Sequence, residues 1–240
     1  MLKKSMIRYL WLVAPVFLAG CNSDNNSDSD NDVPVEVILV SEFNNDADGW
    51  LAGFSDYPVA DGETYELVSG IEEIPGEEGK SGYLLGGMNR SDDLFMFVKR
   101  EVSGLVPNTR YRLTAQASFR SQAGEMCFGI GGSPGESVYM KIGASEIEPA
   151  QADYYMNIDI GNQSEGGADA SQVGNVAIEG LSCEGGEFRS KQVAITAEID
   201  FEIISSAQGK VWVLVGSDSG YEGLTHLYYE SVAVTLTPVQ

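Results

Sequence analysis

The sequence predicts an all-β domain, a two-sheet antiparallel sandwich, and three observations predict it. Short runs of β-branched and aromatic residues recur from end to end of the 240 residues, several alternating apolar and polar with the period of two that a half-buried strand requires. Turn residues separate the runs, among them many of the 28 glycines, as strands joined by tight loops demand. No stretch sustains the periodicity of a helix, and no repeat stands out at the roughly 20–50-residue period of solenoids. Strands without an interior linker favour one domain whose two sheets pack face to face.

Val35 to Phe43 (VEVILVSEF) opens the domain. A run from Tyr83 to Met88 and another from Leu94 to Val102 follow, and the segment 105–109 (LVPNT) turns the chain into Arg110–Arg120. There Tyr111, Leu113, Ala115, Ala117 and Phe119 face one way, and Arg110, Arg112, Thr114, Gln116, Ser118 and Arg120 the other. Ser137–Ile142 reads as a strand. Asn162–Gly174, interrupted by Gly166-Gly167, reads as a loop. Gln192–Ile203 alternates like a single strand, with Val193, Ile195, Ala197, Ile199, Phe201 and Ile203 inward. The segment 205–209 (SSAQG) reads as a hairpin turn into Lys210–Gly216, and Leu227–Thr237 is the last strand.

Lys+Arg 14 against Asp+Glu 36 gives a formal charge of −22. That balance argues against nucleic acid, which demands a basic footprint. The single histidine argues against a His-rich metal centre.

Residues 1–20 form a targeting segment. Lys3, Lys4 and Arg8 precede an apolar run, Tyr9–Leu18, too short to span a bilayer comfortably. Leu18-Ala19-Gly20-Cys21 then resembles the lipobox of bacterial lipoproteins. The resemblance implies cleavage before Cys21 and lipid attachment to its thiol, by a diacylglycerol thioether with further acylation by fatty acids such as palmitate. Cleavage removes three cations and no acid, taking the charge from −22 to −25. An acidic body is repelled by anionic headgroups, so its hold on the membrane comes from acyl chains, stably only when there is more than one. Residues 21–34 then form the lipidated Cys and an acidic tether with almost nothing to bury, so it is expected to be disordered. Asn22 to Pro34 reaches about 45 Å at most. Asn22, rather than Asp, after the Cys resembles outer-membrane sorting. The expected location is therefore the bacterial cell envelope, lipid-anchored at the outer membrane, with residues 35–240 as one sandwich domain.

With Cys21 lipidated, Cys127 and Cys183 remain as an even pair, which in an exported protein reads as a disulfide. Its loop of about 57 residues is worth roughly 4 kcal/mol on chain-entropy grounds. Two buried thiols are the alternative.

Three phrases resemble the galactose-binding-like jelly rolls of bacterial carbohydrate-binding modules. They are Phe43-Asn44-Asn45-Asp46-Ala47-Asp48-Gly49-Trp50, Gly104-Leu105-Val106-Pro107-Asn108-Thr109-Arg110-Tyr111, and the end from Trp212 to Leu236 with Tyr228-Tyr229-Glu230-Ser231-Val232, similar to that family's paired last strands. Residues 125–186 match nothing in those modules. The resemblance implies a structural calcium ion where the opening turn meets the last strand, here on Asp46, Asp48 and Glu230. Asn44-x-Asp46-x-Asp48-Gly49 is also half of an EF-hand loop, but Ser55 replaces its final bidentate acid. A plain Asx turn is the other reading.

Other constellations carry less chemistry. Gly129–Gly135 lacks the following helix and lysine of a phosphate loop and reads as a tight structural loop. His226 has no nucleophile elbow near it and reads as structural. The doublets Asp92-Asp93, Glu72-Glu73 and Glu77-Glu78 would point to opposite strand faces and read as solvated charge rather than catalytic pairs. Arg90 and Asp92, with Trp50, Tyr154 and Tyr155, supply the polar rim and aromatic platform that a sugar needs. The expected function is a noncatalytic, lipid-anchored envelope protein binding a carbohydrate or other surface polymer. The alternatives are an assembly lipoprotein that binds another envelope protein, and a glycan-acting enzyme.

Overall fold

The computed structural model describes residues 33–239. The leader, Cys21 and the acidic tether up to residue 32 lie outside the described residues, and with them the expected lipid attachment. The strands are β1 Val37–Glu42, β2 Leu51–Ser55, β3 Val68–Glu73, β4 Ser81–Met88, β5 Leu94–Ser103, β6 Arg110–Ser121 and β7 Val138–Ser145. After them come β8 Gln151–Ala152, β9 Tyr155–Met156, β10 Ala170–Asn175, β11 Arg189–Ile195, β12 Glu202–Ile204, β13 Lys210–Ser219 and β14 Leu224–Pro238. One 3₁₀ turn spans Val59–Tyr65.

These strands build the antiparallel β-sandwich that the alternation predicted. One sheet runs β11-β6-β14-β4-β3, with β1 on β14 and β12 on β6; the other runs β10-β7-β13-β5-β2. The first and last strands pair, from Val37 opposite Leu236 to Glu42 opposite Ser231. Strand β6 shows how the pattern becomes structure: Tyr111, Leu113, Ala117 and Phe119 are buried while Arg110 and Gln116 are exposed. They meet Leu94, Met96, Val98, Met140, Ile142, Val211, Val213 and Val215 of the second sheet in one core.

Strand β5 is buried on both faces. Leu94, Met96 and Val98 enter the core, whereas Phe95 and Phe97 pack on the outer side with Leu214, Ile160 and Ala170. Residues 146–169 fold back over that outer side, which explains an uninterrupted apolar run where a one-faced strand would alternate. Burying each phenylalanine contributes roughly 1.5–3 kcal/mol.

Four readings of the sequence need correction. The run 192–203 is two strands: Ile199 N–H donates to Thr196 O at 3.0 Å, and Asp200 takes φ 53°, breaking the ladder so that Ile199 is 41% exposed. Residues 205–209 are not a hairpin, because β12 pairs with β6 and β13 with β5 and β7; the turn crosses between sheets. For the same reason β13 and β14 are not paired with each other. Finally, 162–174 is loop only at first, since β10 begins at Ala170 and pairs with β7.

The two crossing turns brace each other. Leu105 N–H donates to Gly209 O at 3.0 Å, the Ser205 hydroxyl donates to Val106 O at 2.6 Å, and Val106 N–H donates to the Tyr111 hydroxyl at 3.0 Å. Gly209, at φ 68°, lies against the Leu105 carbonyl where no Cβ fits.

Candidate functional site

The loops 56–67, 89–93, 122–137, 176–188 and 220–223 all leave strands at the same end of the sandwich. Their anchoring begins at the end of β6. Ala123 O accepts from Ile178 N–H at 2.8 Å, and Gly124 lies against the Leu181 carbonyl with no room for a side chain. A disulfide joins Cys127 to Cys183, as the cysteine count predicted. Glu136 completes the loop: its carboxylate accepts the Met126 N–H at 2.6 Å and the Ser133 hydroxyl. Burial pushes the Glu136 carboxyl up, but the Ser133 hydroxyl, the Met126 and Glu136 N–H groups and the Lys191 charge together hold it below the usual range.

Against this stapled loop lies a cleft of about 220 Å³, whose walls include Gln122, Phe128, Glu184, Tyr221, Thr225 and His226, with the disulfide between them. Tyr221 is fixed by its backbone. Its carbonyl accepts from the Asn89 amide at 2.9 Å and the Ser219 hydroxyl at 3.0 Å, and its ring lies over Gly129 and Gly223. His226 lies across Gly86, where a Cβ would strike the imidazole. Burial pushes its pKa down, with Glu66 opposing, so the ring is neutral at neutral pH. A neutral imidazole offers one donor and one acceptor, which suits a hydroxyl group. The cleft therefore combines amide, hydroxyl, imidazole and carboxylate groups with an aromatic ring exposed at its lip, Phe128.

A second cluster lies on the outer side of β7 and β13. Lys141, fully buried, pairs with Asp218 at 2.8 Å and donates to Ile160 O at 2.8 Å. Asp218 also accepts Gln163 N–H at 2.9 Å, while its other oxygen is buried without a partner. Burial raises the Asp218 carboxyl, with Lys141 opposing. Burial also pushes Asp56 up to about 6, against the Ser55 hydroxyl. Asp93 is pushed up to about 7 by burial and then by repulsion from Asp218 and Asp56, with Lys141 opposing. Asp93 is half-buried while Asp92 is exposed, so only one acid of that doublet is the solvated charge expected.

The residues expected to bind a sugar are partly gathered. Asp56 N–H donates to Tyr154 O at 2.8 Å and the Ser91 hydroxyl donates to Asp56 O at 3.0 Å, which brings Tyr154 beside the turn carrying Arg90 and Asp92. Tyr154 and Tyr155 meet edge to face at 4.8 Å, and Tyr155 is 65% exposed. Arg90 donates to Thr64 O at 2.7 Å and reaches Glu66 at 3.6 Å. Trp50 does not belong with them. It is 1% exposed in the core, its indole N–H bonded to Ser41 at 2.9 Å, because its place in the opening turn faces inward onto Phe43.

The three expected calcium ligands take other partners. Asp48 is paired with Arg100 at 2.7 Å and accepts the Ser41 hydroxyl, which holds its carboxyl below the usual range. Asp46 accepts Asp48 N–H at 2.8 Å, the Asx turn of the other reading. Glu230 receives Arg120 at 2.8 Å and the Ser190 hydroxyl. Among the described residues no three such groups form a metal cage. A divalent ion bound by Asp48 and Glu230 would have to displace two guanidinium groups.

Phe128, Gln122 and the grouping of Asp56 and Asp93 around Asp218 were not anticipated from the sequence. One usable signal was there: Lys141 and Asp218 are charges set within apolar central strands, where burial requires a partner.

No known protein family matches the chain, and no curated relative does. Solved structures are similar at low identity. One is the K1 cleaved adhesin domain of Lys-gingipain from Porphyromonas gingivalis W83, 12% identical with a TM-score of 0.40, covering 82% of this chain and 97% of that one. Another is a mannan-recognising carbohydrate-binding module, 12% identical with a TM-score of 0.39, covering 83% and 97%. A third, a carbohydrate-binding module in complex with β-1,4-galactotriose, is 9% identical with a TM-score of 0.36, covering 77% and 86%.

Proposed function

We propose that this protein is a lipid-anchored envelope protein whose β-sandwich binds carbohydrate without chemical turnover. The observation that carries the reading is the cleft beside the disulfide. Its mixed donors and acceptors match sugar hydroxyls, and Phe128 offers an apolar face for sugar C–H groups. A volume of about 220 Å³ suits one sugar unit and its linkage rather than a long run of polymer. Glu184 on the wall and the charge of −22 favour neutral over anionic glycans. Binding is favoured over catalysis because Asp56, Asp93 and Asp218, whose carboxyls hold protons most tightly, do not line the cleft.

The test is a glycan array probed with the full chain. Neutral glycans should be retained, and Phe128→Ala and His226→Ala should each lose them while the melting temperature stays within a few degrees of the parent. A panel in which no glycan binds refutes the reading, and release of reducing ends from a bound polysaccharide refutes its noncatalytic part. The anchor is tested separately by labelling with a radioactive fatty acid: Cys21→Ser should carry no label, and retained label refutes attachment at Cys21.

A further inference from the structure

We propose that the knuckle formed by Met126, Phe128 and Ile130 is a docking surface for a cationic protein partner, one that presents an apolar pocket rimmed by lysine or arginine. The three side chains are 84%, 101% and 72% exposed, at alternate positions of one loop. Single exposed apolar residues are ordinary, but three within five residues of one fastened loop point to an interaction site. A phenylalanine alone offers roughly 150–250 Å² for burial.

The exposure is built rather than incidental. Cys127, between Met126 and Phe128, is 4% exposed and tied inward to Cys183, so its neighbours turn outward. The Met126 N–H is held by Glu136 at 2.6 Å, and the Ile130 carbonyl accepts Glu222 N–H at 2.8 Å. The loop is thus fastened on both sides of the apolar residues, and a partner would meet a surface already in shape.

The rim identifies the partner's charge. Glu125 adjoins Met126, Glu222 bonds to Ile130, Glu184 follows the stapled Cys183, and the Asp92 carboxylate lies beside Gly131. Lys191, the cation near Glu125 and Glu136, is half-buried and spends its ammonium group on Asn175 at 2.9 Å and the Ala177 carbonyl at 2.6 Å. Lys191 offsets part of the charge at Glu125, but Glu222, Glu184 and Asp92 form no ion pair among the described residues, so the rim of the apolar centre stays net acidic, which attracts a basic surface and repels anionic lipid or an anionic polymer. Met126 and Ile130 are not among the residues lining the sugar cleft, so this surface can be tested apart from it.

The test titrates the full chain, purified in nonionic detergent, with a synthetic amphipathic peptide of lysine and leucine, read by fluorescence anisotropy. Oligolysine and a glutamate–leucine peptide serve as controls. The lysine–leucine peptide should bind best. The double variant Met126→Ser/Ile130→Ser should weaken it about tenfold or more, as loss of a central apolar anchor does. Glu125→Gln/Glu222→Gln should weaken it and flatten its salt dependence. Both variants should melt like the parent, since the altered side chains are solvated. Equal binding by oligolysine, or an unchanged affinity in the Met126→Ser/Ile130→Ser variant, overturns the proposal in favour of simple counter-ion attraction. Two further outcomes also overturn it. One is flotation of the Cys21→Ser chain with phosphatidylcholine vesicles that the double variant abolishes, which makes the knuckle a lipid-binding one. The other is a dimer in sedimentation that the same variant abolishes, which makes the partner a second copy.

Discussion

Replacing Lys141 with Met removes the one ammonium group that stands against Asp218 inside the domain, and the consequences can be worked through. The pair is 0% and 3% exposed in its side chains, with 2.8 Å between the charged atoms. Taking two charges out of water costs several kcal/mol for each, and the pair offsets this only while both members are present. Lys141→Met keeps much of the stem's volume but leaves Asp218 charged, buried and already short of one partner. It also strips the Ile160 carbonyl of its donor. Breaking such a pair costs about 3–5 kcal/mol, which for a domain of this size lowers the melting temperature by roughly 6–20 °C. The double variant Lys141→Met/Asp218→Asn removes the stranded charge and should recover a large part of that loss. Urea denaturation of the two variants and the parent gives all three stabilities. The deficit of the single variant should also shrink at acid pH, because Asp218, freed of the lysine that held its pKa down, takes up a proton more readily. If the double variant is as unstable as the single one, the loss comes from packing and the reasoning about a stranded charge is wrong.

Asp56 and Asp93 carry raised folded-state pKa values of about 6 and about 7. The native state thus binds more protons than the unfolded chain between pH 4 and 7, and their contribution to stability falls as pH rises through that window; Asp93→Asn should flatten the fall in melting temperature between pH 5 and pH 8, and an unchanged slope would discount Asp93. Cys127→Ser/Cys183→Ser should cost about 4 kcal/mol in urea and abolish glycan retention, because the cleft wall is closed by that bridge; retention intact in the serine variant would show that the wall holds itself. Since Asp48 and Glu230 already hold Arg100 and Arg120, chelator should leave the melt unchanged; a melt that drops in chelator and is restored by calcium, and no longer does so in Asp46→Asn/Asp48→Asn, would establish the calcium site at the opening turn.

Local periodicity made the strands legible. Alternation along Arg110–Ser121 is a property of neighbouring residues, and it predicted both the strand and its buried face. Two cysteines left over from a leader-linked one similarly made the disulfide a matter of counting. The sequence alone also determined the acidity of the domain and the expectation of an anchor at Cys21. Pairing partners were another matter. Nothing within residues 205–209 states whether the turn closes a hairpin or crosses between sheets, because that depends on the strands waiting at either end. The same holds for Trp50, whose bulk and polar N–H suited a sugar platform equally well until Ser41 and Phe43 were brought to it. The cleft is the clearest case: Gln122, Cys183 and His226 stand far apart in the chain and meet only where the end of β6, the 176–188 loop and the start of β14 come together. The shifted carboxyls depend on burial and on through-space charge, so their chemistry comes into being only when Asp56, Asp93, Lys141 and Asp218 are packed beneath the returning loop.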